Sequence, residues 1–514
     1  MSGRAKNSAH NAAMGFIYHF SGTLLSFVSR TIFISTLGKE YLGLNGIFSD
    51  VLSLLSMADL GFSTAMAYSF YKPLADKDEE KIASLIAFYK KIYNVIAMVV
   101  LGLGLLCIPF LKFIINTQED IPYLEVYYLF ALSNVVLSYL FVYKTTLLTA
   151  DQKDYKVVKI RNIMQWVRTI LRIIVLLVWK NYIIYLAIGT ATVLINNFAA
   201  SSAAEKEYPY IKNIKGKIGE EFDIKKKIVE NMKSVFIYKA SGTLFNATDN
   251  VIISKIISTS AVGVYSNYLL LSSKLLLFIQ IIFSSMTASI GNVIAKDSSK
   301  KRFEVFEALQ SISFIFCGII ATLFCVMAND VIRIWLGDSF LLSKTVVIAI
   351  TGNTYLSCVL LPLWTYRDAS GLYLKTKYAM LFGAIENVVL SIVLGHFIGL
   401  AGIIFASAIS RITSYCWYEP KLLFKEYFEK DYKPYYFSIL KHILLLTIVI
   451  AAFEFCWSKY DVNGIVSLFI KGITTGMLSC FIFFMAFRNT DGAKTIIYKA
   501  KQALQAIKKK ISGK

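Results

Sequence analysis

Charged residues are scarce in this sequence, at 17% of 514 residues, whereas an ordinary soluble domain has about 25%. This deficit argues against a soluble protein, because hydrophobic residues reach 56% and recur in apolar runs along the whole chain. A bilayer with a hydrocarbon core of about 30 Å needs roughly 20 apolar residues per helix. The sequence therefore predicts an all-α polytopic membrane protein with fourteen transmembrane helices.

The residue patterns of common catalytic and metal sites are also lacking. The four histidines and seven cysteines share no metal-ligand or redox spacing, and no glycine-rich GK[ST] loop for a nucleotide is present. No cleavable signal peptide is expected, because the first apolar run continues into a full span that contains Arg30. The sequence thus predicts no catalytic residues, no metal and no cofactor, and a protein that is not an enzyme.

The predicted spans place basic residues in alternate turns. They cover roughly residues 12–37, 45–69, 90–111, 122–148, 156–179, 181–203, 233–257, 262–292, 304–328, 343–366, 373–395, 398–417, 437–457 and 464–487. Even-numbered turns are rich in Lys and Arg, whereas odd-numbered turns are short and carry few. The positive-inside rule therefore predicts that both termini are cytoplasmic. The net charge of +21 follows this alternation, so it indicates a membrane topology and not a nucleic-acid partner.

A polar stripe occurs twice, in the first and in the seventh predicted span. Its four positions are spaced +4, +3 and +4, so they share one face of a helix. The first copy is His19, Thr23, Ser26 and Arg30, and the second is Lys239, Thr243, Asn246 and Asn250. The tetrapeptide Ser-Gly-Thr-Leu stands at the same place in both copies, at 21–24 and 241–244. The chain therefore carries a duplicated membrane unit with a polar lining.

The repeat predicts the domain organisation. Each copy holds six spans, an even number, so both copies insert the same way and are related by a pseudo-two-fold axis along the membrane normal. We expect an N-terminal six-helix bundle at 1–203, a basic cytoplasmic linker at 204–232 and a second six-helix bundle at 233–420. Two additional spans follow at 421–487, and 488–514 are predicted to form a basic amphipathic tail at the inner leaflet.

A third stripe of the same spacing lies on the fifth span, at Arg161, Gln165, Arg168 and Arg172. Arg168 lies near mid-span and Arg172 one turn further on, where an arginine costs at least about 2.5–3.5 kcal/mol. Two interpretations stay open. The arginines line a wet cavity and face a substrate, or they form an internal ion pair with Asp59 of the second span.

Ionisable residues of the second copy have mixed signs. Lys239, Asp249, Lys274, Glu386 and Arg411 lie inside predicted spans, where structural ion pairs and ligand contacts are equally compatible with them. Asp59, Asp249, Glu386 and Arg411 are candidates for ion coupling, by protons or sodium, or for gating. Asp50 is interpreted as a solvated acid at a helix end, and Pro362 is predicted to kink the tenth span.

The segment after the first stripe resembles a known family. The run from Tyr41 to Phe48, Tyr-Leu-Gly-Leu-Asn-Gly-Ile-Phe, and the run from Leu52 to Phe62 are similar to the first hairpin of Wzx-type polysaccharide flippases. These belong to the multidrug/oligosaccharidyl-lipid/polysaccharide (MOP) exporter superfamily. Ser69 to Ala75 extend the similarity, and the six-plus-six-plus-two arrangement of spans agrees with it.

The resemblance implies two bundles in a V around a central cavity that works by alternating access. It implies translocation of undecaprenyl-diphosphate-linked oligosaccharide to the outer leaflet of a bacterial cytoplasmic membrane, with polysaccharide polymerase or glycosyltransferases as candidate partners. Family members line the cavity with cations, a role that suits Arg30, Arg168 and Arg172. The wider set of candidate substrate-binding residues adds His19, Lys239, Asn246, Asn250 and Lys274.

Three alternatives remain at this point. A lipid II flippase would also require a cationic cavity, whereas a cation-coupled multidrug antiporter would require an acidic, apolar one. A membrane-embedded glycan polymerase or acyltransferase belongs to a different class. It would require a large external loop or buried catalytic His/Asp pairs, which the sequence does not show.

Overall fold

The computed structural model describes residues 3–59, 62–117, 121–212 and 236–494. In these ranges the chain consists of helices and short connections without strands, which confirms the predicted fold class. The chain forms two compact units, Met1–Gly263 and Val264–Lys514. Residues 236–263 thus pack with the first unit, although the repeat assigns them to the second copy, and the predicted bundle limits stay a prediction.

The first unit contains ten helices in its described part, and an eleventh begins there. They are α1 (Gly3–Leu55), α2 (Phe62–Asp76), α3 (Glu79–Cys107), α4 (Leu111–Ile114), α5 (Leu124–Tyr139), α6 (Val142–Ala150), α7 (Tyr155–Val178), α8 (Tyr182–Glu207), α9 (236–246), α10 (Asp249–Ile256) and α11 (Thr259–Lys296). Within α1, Gly38 has φ 85° and ψ −177°, so a kink separates two helical parts. Glycine tolerates this positive φ because it has no Cβ.

The second unit takes most of α11 and eight further helices in its described part. They are α12 (Ser299–Leu336), α13 (Lys344–Val359), α14 (Leu361–Ser370), α15 (Tyr373–Ile398), α16 (Leu400–Thr413), α17 (Tyr415–Leu423), α18 (Lys433–Trp457) and α19 (Ile465–Phe487). The most buried of its long apolar helices is α12, which packs against α13, α18 and α19. The core of this unit is therefore built around α12.

Eight helices in the described ranges are long and apolar enough to cross a membrane, or ten spans if each of two bent pairs counts as one. The chain is a multi-pass membrane protein, and the count of fourteen spans stays a prediction. Neither α1 nor α7 is among the eight. These are the helices that carry the polar stripes of Arg30 and Arg172, and such residues lower the hydropathy of a span.

The sequence separation between His19 and Lys239 recurs in the helix boundaries. The helices α3 and α12 begin at Glu79 and Ser299, and the preceding side chains, Asp78 and Ser298, accept from the backbone N–H of Lys81 and Lys301. Likewise α5 and α13 begin and end at the same separation. The duplication inferred from a polar stripe therefore extends to N-caps and helix ends, where side chains satisfy the first backbone donors.

The fourth predicted span of each copy is bent. The angle between α5 and α6 is 50°, and that between α13 and α14 is 43°. Pro362 at the start of α14 accounts for the second bend, as predicted, because it lacks a backbone donor. In both copies an ion pair joins the segment after the bend to the end of the copy: Lys144 of α6 with Glu205 of α8, and Arg367 of α14 with Glu419 of α17.

Two glycines bring α1 and α11 into close contact within the first unit. A Cβ built on Gly43 would lie 2.9 Å from the carbonyl carbon of Thr259 and still closer to its oxygen, and one on Gly263 would lie 3.0 Å from that of Lys39. Gly43 thus faces the carbonyl group of Thr259, four positions before Gly263, and Gly263 faces that of Lys39, four positions before Gly43. The contact between the two glycines is therefore reciprocal.

The helices after the repeat are attached to α12 by polar and aromatic contacts. Lys471 of α19 pairs with Asp330 of α12 at 2.7 Å, with side chains only 8% and 15% exposed. His442 of α18 is buried between Phe314 and Tyr355: its Nε2 is 2.8 Å from the Phe314 carbonyl oxygen and its Nδ1 is 3.0 Å from the Tyr355 hydroxyl. The helices α18 and α19 are therefore integral to the second unit.

Candidate functional site

The first unit contains a polar cavity of about 790 Å³. The second part of α1, the middle of α5 and the helix α9 supply its walls. Its polar lining residues are Asn45, Ser49, Asp50, Ser53, Ser56, Asn134, Lys239, Thr243 and Asn246. The volume lies in the range of cavities that take small molecules or polar head groups, about 300–1,000 Å³. The lining is rich in amides and hydroxyls, so the cavity suits a ligand with many hydrogen-bonding groups.

The second polar stripe supplies one wall of this cavity. Lys239, Thr243 and Asn246 all line it, as their common helical face requires. The Nδ2 atom of Asn246 donates to the Gly242 carbonyl at 2.7 Å, which fixes the amide on its own helix. The predicted site residues Lys239 and Asn246 are therefore brought together here, and Lys239 contributes a cationic side chain to the lining.

Asp50 lies at the same cavity and was not predicted as a site residue. Its Oδ2 atom accepts from the backbone N–H of Asn250 at 3.3 Å, in the first turn of α10, where a carboxylate is favoured by the helix dipole. Asp249 and Asp50 interact electrostatically. Asp50 is thus only partly exposed and joins two helices, which corrects its interpretation as a solvated acid. The signal available in the sequence was a lone carboxylate well beyond the end of a stripe, too weak for that inference.

The amide of Asn45 connects the cavity to an aromatic cluster. Its Oδ1 accepts from the Tyr182 hydroxyl at 2.9 Å, and the Tyr182 ring packs on Tyr41, Tyr127 and Tyr185 with ring centroids 4.7 to 5.8 Å apart. Edge-to-face and stacked rings of this kind add stability beyond their buried area. The cluster therefore holds Asn45 in a fixed orientation at the cavity wall.

Arg172 is held by α8. Its Nε donates to the Tyr185 carbonyl at 3.1 Å, and its guanidinium carbon lies 4.1 Å from the centroid of the Tyr185 ring. The guanidinium also fits against Gly189, where a Cβ would lie 2.9 Å from the guanidinium carbon. Part of its hydrogen-bonding capacity is thus used for packing between α7 and α8, and no carboxylate is needed to keep this arginine in the span.

Arg30 and Arg168 are half-buried, on α1 and α7. Arg30 interacts electrostatically with Tyr185, the residue that also holds Arg172, and Gln165 of the same stripe packs against Gly22 of α1. In the described part of the chain, Arg30, Arg168 and Arg172 are not among the residues that line the cavity. That these arginines contact the substrate stays a prediction.

The other predicted residues are distributed over separate contacts of the second unit. Glu386 accepts from the Thr413 hydroxyl at 2.6 Å, and Arg411 donates to the Ser357 hydroxyl at 2.7 Å. Lys274 is half-buried on α11. Both contacts join neighbouring helices through hydroxyl groups, and the choice between structural ion pairs and ligand contacts stays a prediction. The side chains of His19 and Asp59 lie outside the described residues, so the pairing of arginine with Asp59 is untested.

A family comparison gives this cavity a context. Residues 36–345 match a family model described as polysaccharide biosynthesis protein. The chain belongs to this family. The match contains all of the cavity-lining residues as well as the second copy of the polar stripe. It agrees with the resemblance to the polysaccharide flippases of the MOP superfamily. A search of curated proteins finds no match.

The fold is that of solved MOP exporters. A lipid II flippase, MurJ, in an inward closed conformation has a TM-score of 0.64 at 16% identity, covering 92% of this chain and 98% of its own. An inward-facing multidrug MATE transporter gives 0.54 at 12% identity, covering 77% and 93%. A MATE protein in a bent conformation gives 0.52 at 13%, covering 80% and 94%. These neighbours are named as flippase and transporters and not as enzymes, which agrees with the prediction of a non-enzyme.

Proposed function

We propose that this protein is a flippase that moves an undecaprenyl-diphosphate-linked oligosaccharide across the bacterial cytoplasmic membrane, from the cytoplasmic to the outer leaflet, by alternating access. The observation that carries the proposal is the cavity lined by Lys239 and by the amides of Asn45, Asn134 and Asn246. The family match over residues 36–345 supports a role in polysaccharide biosynthesis.

The chemistry of the lining fits a glycan with a charged head group. Amide and hydroxyl side chains both donate and accept, as sugar hydroxyls do. A diphosphate requires cations, and Lys239 supplies one as a compact point charge. Arg30 and Arg168 are proposed as further phosphate contacts, and His19, Asn250 and Lys274 complete the set of proposed substrate residues, with Asp59, Asp249, Glu386 and Arg411 as proposed coupling or gating groups.

The proposed setting follows the distribution of basic residues. The alternate turns rich in Lys and Arg are proposed to face the anionic inner leaflet, because basic loops favour the cytoplasmic side. This orientation puts both termini in the cytoplasm. A polymerase or glycosyltransferase acting on the same glycan is the proposed partner. Proton or sodium coupling would use carboxylates, and Asp50 at the cavity joins the earlier candidates because it lies close to Asp249.

A lipid II flippase is the second candidate, because the fold of a lipid II flippase matches nearly the whole chain. Lipid II also carries a diphosphate, so both substrates require the same cations. Lys239 in the lining disfavours a cation-coupled multidrug antiporter, because such a protein requires an acidic, apolar cavity for cationic drugs.

The test is a leaflet-accessibility assay in proteoliposomes with fluorescent undecaprenyl-diphosphate oligosaccharide, run in parallel with labelled lipid II and with a cationic dye. We expect Lys239→Met, Arg30→Ala and Arg168→Ala to slow flipping of the oligosaccharide about tenfold, because each loses a charged phosphate contact. Arg30→Lys should also be slow if the contact is bidentate.

Lys112→Met is the matched control, because this lysine side chain is 80% exposed and lies outside the cavity. Flipping at the wild-type rate in all three cavity and arginine variants would refute the site. Faster flipping of lipid II than of the oligosaccharide would indicate that lipid II is the substrate. Transport of the dye alone would refute the proposal that the protein is a flippase.

A further inference from the structure

A second pocket, of about 460 Å³, lies in the second unit where α12 and α18 begin and α19 ends. Six of its sixteen lining residues are aromatic, and Phe306 contacts Phe424 and Tyr435 at centroid distances of 5.6 and 5.9 Å. Phe314 and Phe487 continue this wall. The helices α18 and α19, which follow the repeat, contribute part of the lining.

Two buried polar atoms of this pocket lack partners within the described residues. Gln310 is 5% exposed, and its Nε2 donates to the Val359 carbonyl at 3.4 Å. That bond leaves Oε1 as the acceptor without a partner. The hydroxyl of Tyr435, also 5% exposed, has no partner in the same part of the chain. Unsatisfied buried groups of this kind cost free energy unless a ligand or water reaches them.

The mouth of the pocket is acidic. Glu307 lies one helical turn before Gln310, on the same face of α12, and interacts electrostatically with Lys430 and Asp491. Lys430 is itself drawn over the Phe303 ring, with its Nζ 3.7 Å from the centroid. Asp431 and Asp491 also line the mouth, so acidic side chains outnumber the single lysine of the lining.

These features select one ligand chemistry. Glu307 and the Gln310 oxygen both accept hydrogen bonds, the carboxylate favours a positively charged donor, and the faces of aromatic rings attract a cation. We propose that this pocket binds a protonated amine carried on an apolar body, with the ammonium group between Glu307 and Gln310 and the body against Phe306 and Phe314. A free amine and an aminophospholipid head group both present this chemistry. The site is separate from the substrate cavity and does not depend on the proposed transport function.

The probe is radiolabelled 2-phenylethylamine, whose saturable binding is measured by equilibrium dialysis against the full-length protein in phosphatidylcholine nanodiscs, with empty nanodiscs subtracted. Phosphatidylcholine has no N–H donor, so the lipid does not compete through this contact. We expect 2-phenylethanol, the neutral analogue, to compete at least about tenfold more weakly, because the charged hydrogen bond is lost. Nanodiscs containing phosphatidylethanolamine separate the two sources: weaker apparent binding of the probe assigns the site to the lipid, and unchanged binding assigns it to a free amine.

Two substitutions test the geometry. Glu307→Gln should weaken binding about tenfold, and Gln310→Leu about fivefold, because each removes one acceptor for the ammonium group. Glu304→Gln is the matched control, since Glu304 makes the same charge change one turn earlier on α12 but pairs with Lys301 outside the pocket. Thermal unfolding establishes that each variant is folded.

Ser438→Phe gives an independent arm, because Ser438 lines the pocket and a phenyl ring there would fill part of its volume without altering a charge. It should abolish saturable binding. Equal competition by the amine and the alcohol, or binding unaffected by Glu307→Gln and Ser438→Phe, would overturn the proposal.

Discussion

The crossing of α1 and α11 allows a sharp prediction about two single methyl groups. Gly43→Ala places a Cβ 2.9 Å from the Thr259 carbonyl carbon, and Gly263→Ala places one 3.0 Å from the Lys39 carbonyl carbon. Ordinary van der Waals contact begins at 3.4 Å. The neighbouring atoms are backbone, so no side chain can rotate away. The two carbonyl oxygens lie closer still, so each variant must separate the helices by more than half an ångström.

The expected magnitude combines two opposing effects. Over-packing of a tight contact costs about 1–3 kcal/mol, whereas alanine improves helix propensity over glycine by about 1 kcal/mol. Because the new methyl carbon meets backbone atoms, the cost lies at the upper end of its range, and we expect a net loss of about 2 kcal/mol for each variant. The double variant should lose less than the sum, because one separation of the helices makes room for both methyl groups.

The measurement is the midpoint of thermal unfolding in detergent micelles, compared with that of Gly102→Ala. A Cβ at Gly102, in α3, meets no atom within 4 Å, so this control keeps only the gain in helix propensity and should unfold at a slightly higher temperature. Midpoints for Gly43→Ala and Gly263→Ala at or above that of the wild type would refute the reciprocal contact, and so would full additivity in the double variant.

Three further predictions concern charged side chains. Arg172→Lys should lower the unfolding midpoint and Gly189→Ala should do the same, because both disturb the contact of the guanidinium with Tyr185; an unchanged midpoint would contradict this packing role. Lys471→Met or Asp330→Asn alone should cost about 3–5 kcal/mol by leaving a buried charge unpaired, and the double variant should recover much of the loss in denaturant titrations. Burial lowers the pKa of Lys153, in the α6–α7 turn, but hydrogen bonds to Asp151 and Glu207 outweigh this effect and raise it above 10.5. Its contribution to stability is complete below pH 10.5 and lost above the raised pKa, so the difference in midpoint between wild type and Lys153→Met should shrink from pH 8 to pH 12; a constant difference would contradict it.

The sequence was most informative where a pattern recurs. The repetition of the polar stripe predicted a duplication, and the N-caps at Asp78 and Ser298 follow it at the same separation. Pro362 marked one of the two bends. The sequence around the bend after Tyr139 contains no proline or glycine that would predict it. Tertiary packing must therefore hold it, and no local rule could have found it.

The site was harder to infer than the fold, because residue spacing predicts which side chains share a helical face but not which groups pack against that face. The stripe on α7 was expected to face one environment, yet Gln165 packs on α1 and Arg172 on α8. A tyrosine carbonyl and ring can satisfy an arginine as well as a phosphate can, and the sequence contains no signal that distinguishes them. The pairing of Asp50 with Asn250 joins positions far apart in the chain, which lies beyond the reach of spacing arguments.

Neither fourth predicted span is a continuous helix, because a bend divides each of them into two parts. In each half a short helix follows the break, and an ion pair joins it to a later helix: Lys144 with Glu205 in the first half and Arg367 with Glu419 in the second. The cations are Lys144 and Arg367 and both carboxylates are glutamates, but neither position recurs at the separation of the repeat, so the kind of contact is kept while the positions that make it differ. Exchanging the two charges of one ion pair should keep the short helix in contact with its partner helix. Reversing only one of the two charges should weaken that contact in that half alone.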